Sequence, residues 1–324
     1  WWKVIDDHTC FLGMEQVEYL FTIVREWTKT AGLSFYDRKA ETGLLRYAVI
    51  RASTTGEAMV IVVTSEPADD AETRQVREAL TNLSSLIPLR PSGTSPRLGE
   101  EAQNTTSLIW SVNPTVSDVS FGTELETISG SGFIEEIISG FRYRITPNAF
   151  FQTNPYAAPI LLDTVKEFAG DLADKTLLDL YCGSGFFGIG LAPIAPDPIQ
   201  TRARRIVGVD LVADAIRDAR VNAELNHVEM EFHEAKTEDF DWGQYQADIV
   251  ILDPPRMGMH DKALADVLRI KPATIVYVSC NYKNFARELV FLKEWYDVEA
   301  MRAVDMFPHT PHVELVTKLV ACRK

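Results

Sequence analysis

The pattern of apolar residues differs between two parts of the chain. From Leu12 to about Thr30 they recur every three or four positions, which predicts an amphipathic helix that ends at Gly32. Two runs rich in β-branched residues follow, Leu44 to Ala52 and Ala58 to Thr64, and predict strands. A second helix is predicted from Asp69 to about Leu86.

The stretch from Pro91 to Thr106 is polar and contains Pro and Gly, so residues 91–106 are interpreted as a surface loop. Strand-like segments continue from Ser107 to Asn113 and from Glu124 to Ile145. Residues 1–140 are therefore predicted to form a small α+β domain with a largely antiparallel sheet.

In the second part, residues 141–324, apolar strands alternate with helical patterns. The four clearest strands run from Thr176 to Tyr181, Arg205 to Asp210, Ala247 to Asp253 and Thr274 to Cys280. This alternation predicts an α/β domain with a Rossmann-like, doubly wound and mostly parallel sheet. Ligands of such sheets lie at the carboxyl ends of the strands, so the polar residues that follow the strands are the candidates for chemistry.

Composition narrows the class of protein. Among 324 residues, 46 Asp and Glu outnumber 32 Lys and Arg, so the net charge of -14 argues against a surface covered in nucleic-acid contacts, although a local basic cleft is still allowed.

There is no run of about 18 apolar residues and no signal-peptide layout, which predicts a cytoplasmic protein without membrane contacts. The four cysteines are far apart and form no CxxC pair, so they predict neither disulfides nor a complete metal site.

A glycine turn follows the first strand of the second part. In the run LLDLYCGSGFFG, Gly183 and Gly185 allow a ligand to approach the backbone closely. The spacing DxxxGxG is typical of S-adenosylmethionine sites, and it fits the dinucleotide fingerprint GxGxxG only loosely. The next strand ends in Asp210, which is placed to accept hydrogen bonds from ribose hydroxyls.

A candidate reaction site follows the next two strands along the chain. One ends in Asp-Pro-Pro-Arg, from Asp253 to Arg256, in which the prolines hold a polar side chain beside a planar base. The other ends at Cys280, which precedes a helix that starts near Asn281. We expect Cys280 to face the ligand cavity, and the helix N-terminus to favour its thiolate.

Glu314 lies within an otherwise apolar strand, and a buried carboxylate is costly unless it is paired or used. His309 and His312 precede it, yet the pattern H-x-x-H-x-E matches no common set of metal ligands. We therefore expect no metal here and treat Glu314 as a catalytic candidate.

The sequence resembles the S-adenosylmethionine-dependent RNA uracil-5-methyltransferases that act on tRNA and ribosomal RNA. The resemblance covers the whole chain, more strongly from Ile145 onward, and rests on the segments AFFQTNP, LLDLYCGSGFFGI, ILDPPRMG, VYVSCN and FPHTPHVELV. It implies that Cys280 is the nucleophile and Glu314 the base, and that Phe150 and Arg256 contact the target. The residues implied in cofactor or base contacts are Gln152, Tyr181, Gly183, Gly185, Asp210 and Asp253.

Family members commonly carry an N-terminal RNA-binding β-barrel and three cysteines that hold an iron-sulfur cluster with a fourth. Cys10 resembles that fourth ligand, but its three partners do not occur in this sequence. A single thiol cannot hold a cluster, so none is expected in this chain. The expected cofactor is S-adenosylmethionine and the expected partner is RNA, with residues 1–140 in contact with it. No protein partner is inferred.

The resemblance implies methyl transfer to C5 of a uridine in a tRNA T-loop or a 23S rRNA loop, through a covalent bond from Cys280 to C6. Three alternatives stay open. Cytosine-C5 methyltransferases also use a cysteine but usually place it after proline, whereas Ser279 precedes Cys280 here. An amino-group methyltransferase would fit DPPR without a nucleophile. A non-catalytic RNA-binding scaffold could keep the same fold.

Overall fold

The computed structural model describes residues 14–87, 106–192 and 203–322. By its internal contacts the chain divides into two compact units. One comprises residues 1–136 and 145–148, and the other comprises residues 137–144 and 149–324. No helix in the described ranges combines the length and apolar character needed to cross a bilayer.

The first unit packs two helices on a four-stranded sheet with the order β1-β2-β3-β4. Its elements are α1 (Glu15–Thr30), β1 (Leu45–Ala52), β2 (Ala58–Ser65), α2 (Asp70–Leu86), β3 (Thr106–Asn113) and β4 (Glu124–Ser129). Strands β1 and β2 pair antiparallel, as do β3 and β4, whereas β2 and β3 are parallel and are joined through α2. The predicted loop of residues 91–106 lies outside the described residues except for Thr106, which is buried at the start of β3.

The first unit's core forms because each helix presents one apolar stripe to the sheet. Leu20, Val24 and Trp27 line the buried face of α1, and α2 contributes a similar stripe. The indole N–H of Trp27 donates to the carbonyl of Ala79 at 3.0 Å, which fixes α1 against α2.

The second unit is built on a seven-stranded sheet with the order β12-β13-β11-β10-β7-β8-β9. Its strands are β7 (Thr176–Leu180), β8 (Arg205–Asp210), β9 (Glu231–Glu234), β10 (Ile249–Leu252), β11 (Thr274–Ser279), β12 (Tyr296–Val304) and β13 (Glu314–Ala321). Its helices are α3 (Ala158–Ala169), α4 (Phe186–Gly190), α5 (Ala213–Leu225), α6 (Asp261–Ile270) and α7 (Tyr282–Leu292). A two-stranded sheet of β5 (Ile134–Ile138) and β6 (Phe141–Ile145) precedes them.

The large sheet is parallel except at one strand. Strands β9, β8, β7, β10 and β11 pair in parallel, and β13 runs antiparallel to both β11 and β12. All positions of β7 and β10 are buried, as expected for parallel strands covered by helices on both faces. The predicted doubly wound, mostly parallel sheet is therefore confirmed.

Two asparagines of α5 complete the backbone bonding of β6. The side chain of Asn222 is buried; its Oδ1 accepts the N–H of Arg144 at 2.7 Å, and its Nδ2 donates to the carbonyls of Arg144 at 3.3 Å and Ser184 at 3.1 Å. Asn226 accepts the N–H of Arg142 at 2.7 Å and donates to its carbonyl at 2.6 Å. Asn222 thus joins β6 to the glycine turn after β7.

We predict that Asn222→Ala lowers the free energy of unfolding by about 1–3 kcal/mol, because buried N–H and C=O groups of Arg144 and Ser184 lose their partners. Urea unfolding followed by circular dichroism measures the loss. Asn226→Ala is the matched control and should cost less, because Asn226 is only partly buried. Equal losses in the two variants would contradict this account.

Candidate active site

Strand register brings the predicted catalytic residues together. In the antiparallel pair of β11 and β13, Ser279 lies opposite Leu315, so Cys280 and Glu314 occupy the next opposed positions. Residues opposed in an antiparallel pair project to the same side of the sheet. Asp253 follows β10, the other neighbour of β11. The nucleophile and base candidates therefore share one edge with Asp253.

The glycine turn after β7 has the backbone shape that the sequence predicted. Gly183 and Gly185 have φ values of 53° and 84°, and a Cβ at Gly185 would lie 2.7 Å from Ile189 Cδ1. Tyr181 also takes a left-handed φ of 66°, which is rare for a side chain of this size. Strain of this kind is typical of sites where the backbone must meet a ligand.

Asp210 is part of the same turn. One oxygen of its carboxylate accepts the N–H of Gly183 at 2.9 Å, and the other accepts the N–H of Val212 at 2.8 Å. Each carboxylate oxygen keeps a second lone pair that can accept a hydroxyl. Asp210 can therefore hold the turn and still bind a ligand.

Sequence reasoning missed Asp179, the first residue of the DxxxGxG pattern. Its side chain is fully buried; Oδ2 accepts the N–H of Gly188 at 2.8 Å, and Oδ1 has no hydrogen-bond partner among the described residues. Burial raises the pKa of Asp179 to about 7. The signal that could have found it was a charged residue within an otherwise apolar strand.

The pKa values of Glu314 and Asp253 are both raised. Burial raises the pKa of Glu314 to about 7. Burial, and then the charges of Glu314, Asp179 and Asp210, raise the pKa of Asp253 well above its usual value. The charges of the neighbouring carboxylates thus disfavour the ionised form of Asp253, and a bound cation would relieve that repulsion.

The helix after Cys280 was expected to favour its thiolate, and this expectation was wrong. Cys280 is partly exposed, yet its pKa is raised, first by burial and then by Glu314 and Asp253. The start of α7 does not reverse this shift, and Asn281 already accepts the N–H of Lys283 at 3.2 Å. A backbone hydrogen bond and the charge of Arg256 lower the pKa, but by less than burial and the two carboxylates raise it.

The predicted substrate residues lie at the surface of the same unit. Phe150 is 69% exposed, and its carbonyl lies 3.5 Å from Ser184 Oγ in the glycine turn. Gln152 is partly buried, two residues further along. Arg256 is exposed, with Nη2 3.3 Å from His312 Nδ1, so the loop after β10 meets the segment before β13.

Among residues 14–87, 106–192 and 203–322, no group of three or more His, Cys, Asp or Glu side chains could hold a metal ion. Of the cysteines in these ranges, Cys182 is buried, and Cys280 and Cys322 are partly exposed. Cys10, the candidate iron-sulfur ligand, lies outside the described residues.

The strand order and the polar carboxyl-terminal edge define a Rossmann-like class I methyltransferase. Residues 135–321 match the family described as tRNA (uracil-5-)-methyltransferase, and the chain belongs to this family.

Two curated relatives and one crystal structure illustrate the similarity. The tRNA (uracil(54)-C(5))-methyltransferase of Pyrococcus horikoshii is 38% identical, over 99% of this chain and 69% of the relative. An uncharacterized RNA methyltransferase of Caldanaerobacter subterraneus is 35% identical, over 97% of this chain and 65% of the relative. The crystal structure of Pyrococcus abyssi tRNA (uracil-54, C5)-methyltransferase with S-adenosyl-L-homocysteine is 35% identical, with a TM-score of 0.77 over 99% of this chain and 71% of that one. This chain thus spans about two thirds of the length of the curated relatives it matches.

We predict that Glu314 makes the protein less stable as pH rises. Its pKa is about 7 when folded and near 4.5 when unfolded, so the folded state binds more protons between these values. Stability therefore falls as pH rises from about 4.5 to 7. Glu314→Gln removes this titration and should gain up to about 3 kcal/mol over the parent between pH 5 and pH 8.

Urea unfolding at intervals from pH 5 to pH 8 measures the difference. Glu294→Gln, at an exposed position, is the matched control and should follow the parent at every pH. A constant difference between Glu314→Gln and the parent would contradict the raised pKa.

Proposed function

We propose that this chain transfers a methyl group from S-adenosylmethionine to C5 of a uridine in structured RNA, through a covalent bond between Cys280 and C6. The observation that carries the proposal is that Cys280 and Glu314 each lie one position beyond the paired Ser279 and Leu315 of the antiparallel strands β11 and β13, with Asp253 directly after the neighbouring β10. Family membership supports it, as do the names of the Pyrococcus relatives. Residues 1–140 contribute RNA contacts in this proposal, and residues 141–324 carry the chemistry.

The turn after β7 fits the cofactor. When bound, S-adenosylmethionine supplies an electrophilic methyl group on a cationic sulfur. Gly183 and Gly185 leave room along the backbone, and Asp210 keeps lone pairs for ribose hydroxyls. Tyr181 and Gln152 complete the proposed binding set.

Cys280 has the role of making C5 of the uracil ring reactive. Uracil C5 is a weak nucleophile, so the thiolate of Cys280 first forms a bond to C6 and raises the electron density at C5. Asp253 holds the N3 and O4 edge of the ring. Its raised pKa favours a neutral carboxyl group, which can accept from N3–H and donate to O4 at the same time.

Glu314 completes the reaction after C5 has received the methyl group. Its carboxylate removes the C5 proton, the electron pair re-forms the C5–C6 double bond, and the bond from C6 to the Cys280 sulfur breaks. A pKa of about 7 suits a group that must accept a proton near neutral pH. A base placed in this way contributes about 10² to 10⁴ in rate.

The target uridine must leave its stack to reach Cys280, at a cost of a few kcal/mol that is smallest in a loop. Phe150, which is largely exposed, is proposed to pack against the extruded ring, and Arg256 to contact the substrate as well. A tRNA T-loop or a 23S rRNA loop meets this requirement. The relatives named for uracil 54 of tRNA favour the T-loop.

We predict that 5-fluorouridine-containing tRNA, incubated with S-adenosylmethionine, forms a methylated covalent adduct with Cys280. Fluorine at C5 cannot be removed as a proton, so the bond from C6 to sulfur cannot break. Denaturing gel electrophoresis and peptide mass spectrometry detect the adduct and its site. Cys280→Ala should form none, and Cys182→Ala, which changes a buried thiol, is the matched control.

An amino-group methyltransferase would keep its activity in Cys280→Ala, and an enzyme that methylates cytosine would label cytidine instead. A scaffold would bind no cofactor in calorimetry. Cofactor binding without any adduct on tRNA or 23S rRNA fragments would overturn the covalent mechanism.

We also predict that Glu314→Gln accumulates the methylated adduct with unmodified tRNA, because the amide cannot accept the C5 proton. Multiple-turnover methylation should fall by about 10² to 10⁴, while the single-turnover formation of adduct persists. Rapid-quench experiments separate the two rates. If both rates fall together, Glu314 does not act as the base after methyl transfer.

A further inference from the structure

One face of α7 holds the loop that follows β10. Asn281, Asn284 and Glu288 are spaced i, i+3 and i+7, so they lie on the same side of the helix. All three make hydrogen bonds to backbone atoms of residues 256–259. These residues begin three positions after Asp253, and α7 begins two positions after Cys280.

Both asparagines donate hydrogen bonds to the carbonyl oxygen of Arg256. Asn284 Nδ2 donates to it at 2.7 Å and Asn281 Nδ2 at 3.2 Å. Both lone pairs of this oxygen are therefore used by α7. The loop is thus attached at Arg256, whose charge lowers the pKa of Cys280.

Glu288 attaches both the end of the loop and the strand that leads to Cys280. Its side chain is buried; Oε1 accepts the N–H of Met259 at 2.8 Å, and Oε2 accepts the hydroxyl of Tyr277 at 2.6 Å. Tyr277 lies in β11, three residues before Cys280. A buried carboxylate is costly, and here its two oxygens accept from two different elements.

Gly258 is needed for this arrangement. A Cβ at Gly258 would lie 2.1 Å from Glu288 Oε1, and its φ of 88° disfavours any other residue. Its N–H donates to the carbonyl of Pro255 at 2.7 Å, which closes the turn after the two prolines. The loop therefore approaches Glu288 as closely as the backbone allows.

We propose that Glu288 is a positioning residue that fixes Asp253 and Arg256 relative to Cys280, by bonding at once to the loop after β10 and to β11. The inference rests on the proposed function for its catalytic consequence. The hydrogen bonds themselves are independent of that function. Reacting groups held about 1 Å out of place can lose on the order of 10²-fold in rate, so a residue that touches no substrate can matter this much.

Three variants test the proposal. Glu288→Ala removes both acceptors. Glu288→Gln keeps the shape, because its oxygen can still accept from Met259 while its amide donates to the hydroxyl oxygen of Tyr277. Leu292→Ala is the matched control: it removes a fully buried side chain one turn further along α7 and leaves the polar face unchanged.

The first readout needs neither RNA nor cofactor. Alkylation of Cys280 by iodoacetamide, followed by peptide mass spectrometry across pH, reports the pKa of the thiol. Burial and the charge of Asp253 raise this pKa by more than Arg256 lowers it, so displacement of the loop that carries both residues in Glu288→Ala should move the midpoint of the profile downward. Glu288→Gln and Leu292→Ala should keep the parent's midpoint.

The second readout is the single-turnover rate of adduct formation with 5-fluorouridine tRNA. We expect a loss of about 10²-fold in Glu288→Ala, substantial recovery in Glu288→Gln and little change in Leu292→Ala. The dissociation constant for S-adenosylmethionine should change less than about twofold, because its turn follows β7 and not β11.

The two readouts separate failure of the inference from failure of the function. If Glu288→Ala matches Leu292→Ala in both the alkylation midpoint and the adduct rate, the positioning role is overturned. If the parent forms no adduct, the proposed function fails, and the alkylation midpoints still decide whether Glu288 positions the loop.

Discussion

The antiparallel insertion of β13 between β11 and β12 is the constraint on which the rest of the site depends. In a wholly parallel sheet, every strand presents its carboxyl end at the ligand edge. Because β13 runs the other way, its first residue, Glu314, reaches the same edge as Cys280 at the end of β11. Two side chains for which different roles are proposed therefore lie at the same end of one pair of strands, and Asp253 follows the strand on the other side of β11.

At this edge of the sheet, burial and neighbouring charges favour the protonated forms of the acidic side chains when no ligand is bound. Asp179 and Glu314 have pKa values of about 7, and the pKa values of Asp253 and Cys280 are raised as well. Burial is the first cause in each case, and mutual repulsion adds to it for Asp253 and Cys280. A site of this kind suits a cationic methyl donor, because the cation stabilises the thiolate of Cys280 and the carboxylate of Glu314, whereas Asp253 is proposed to act as a neutral carboxyl group.

Local patterns were sufficient for the elements and most of the candidate residues. Alternating strands and helices predicted the doubly wound sheet, and the strand ends indicated Asp210, Asp253 and Cys280, because parallel strands expose polar residues only where they finish. Asp179 was missed because attention went to the polar residues that follow the strands, whereas this acid lies within β7. The boundary near residue 140 stays a prediction, and the division by contacts passes through the hairpin of β5 and β6.

By itself, the sequence determined the fold class and the family, since these depend on residue type and spacing along the chain, and it predicted the reactive side chains. Only the tertiary structure decided the ionisation of Cys280. The helix that follows Cys280 is visible in sequence, but the burial that raises its pKa most, and the carboxylates of Asp253 and Glu314 that raise it further, come from segments distant in the chain. The hydrogen bonds of Glu288 to the loop after β10 and to β11 likewise depend on the tertiary structure, because they join segments that lie far apart in the chain.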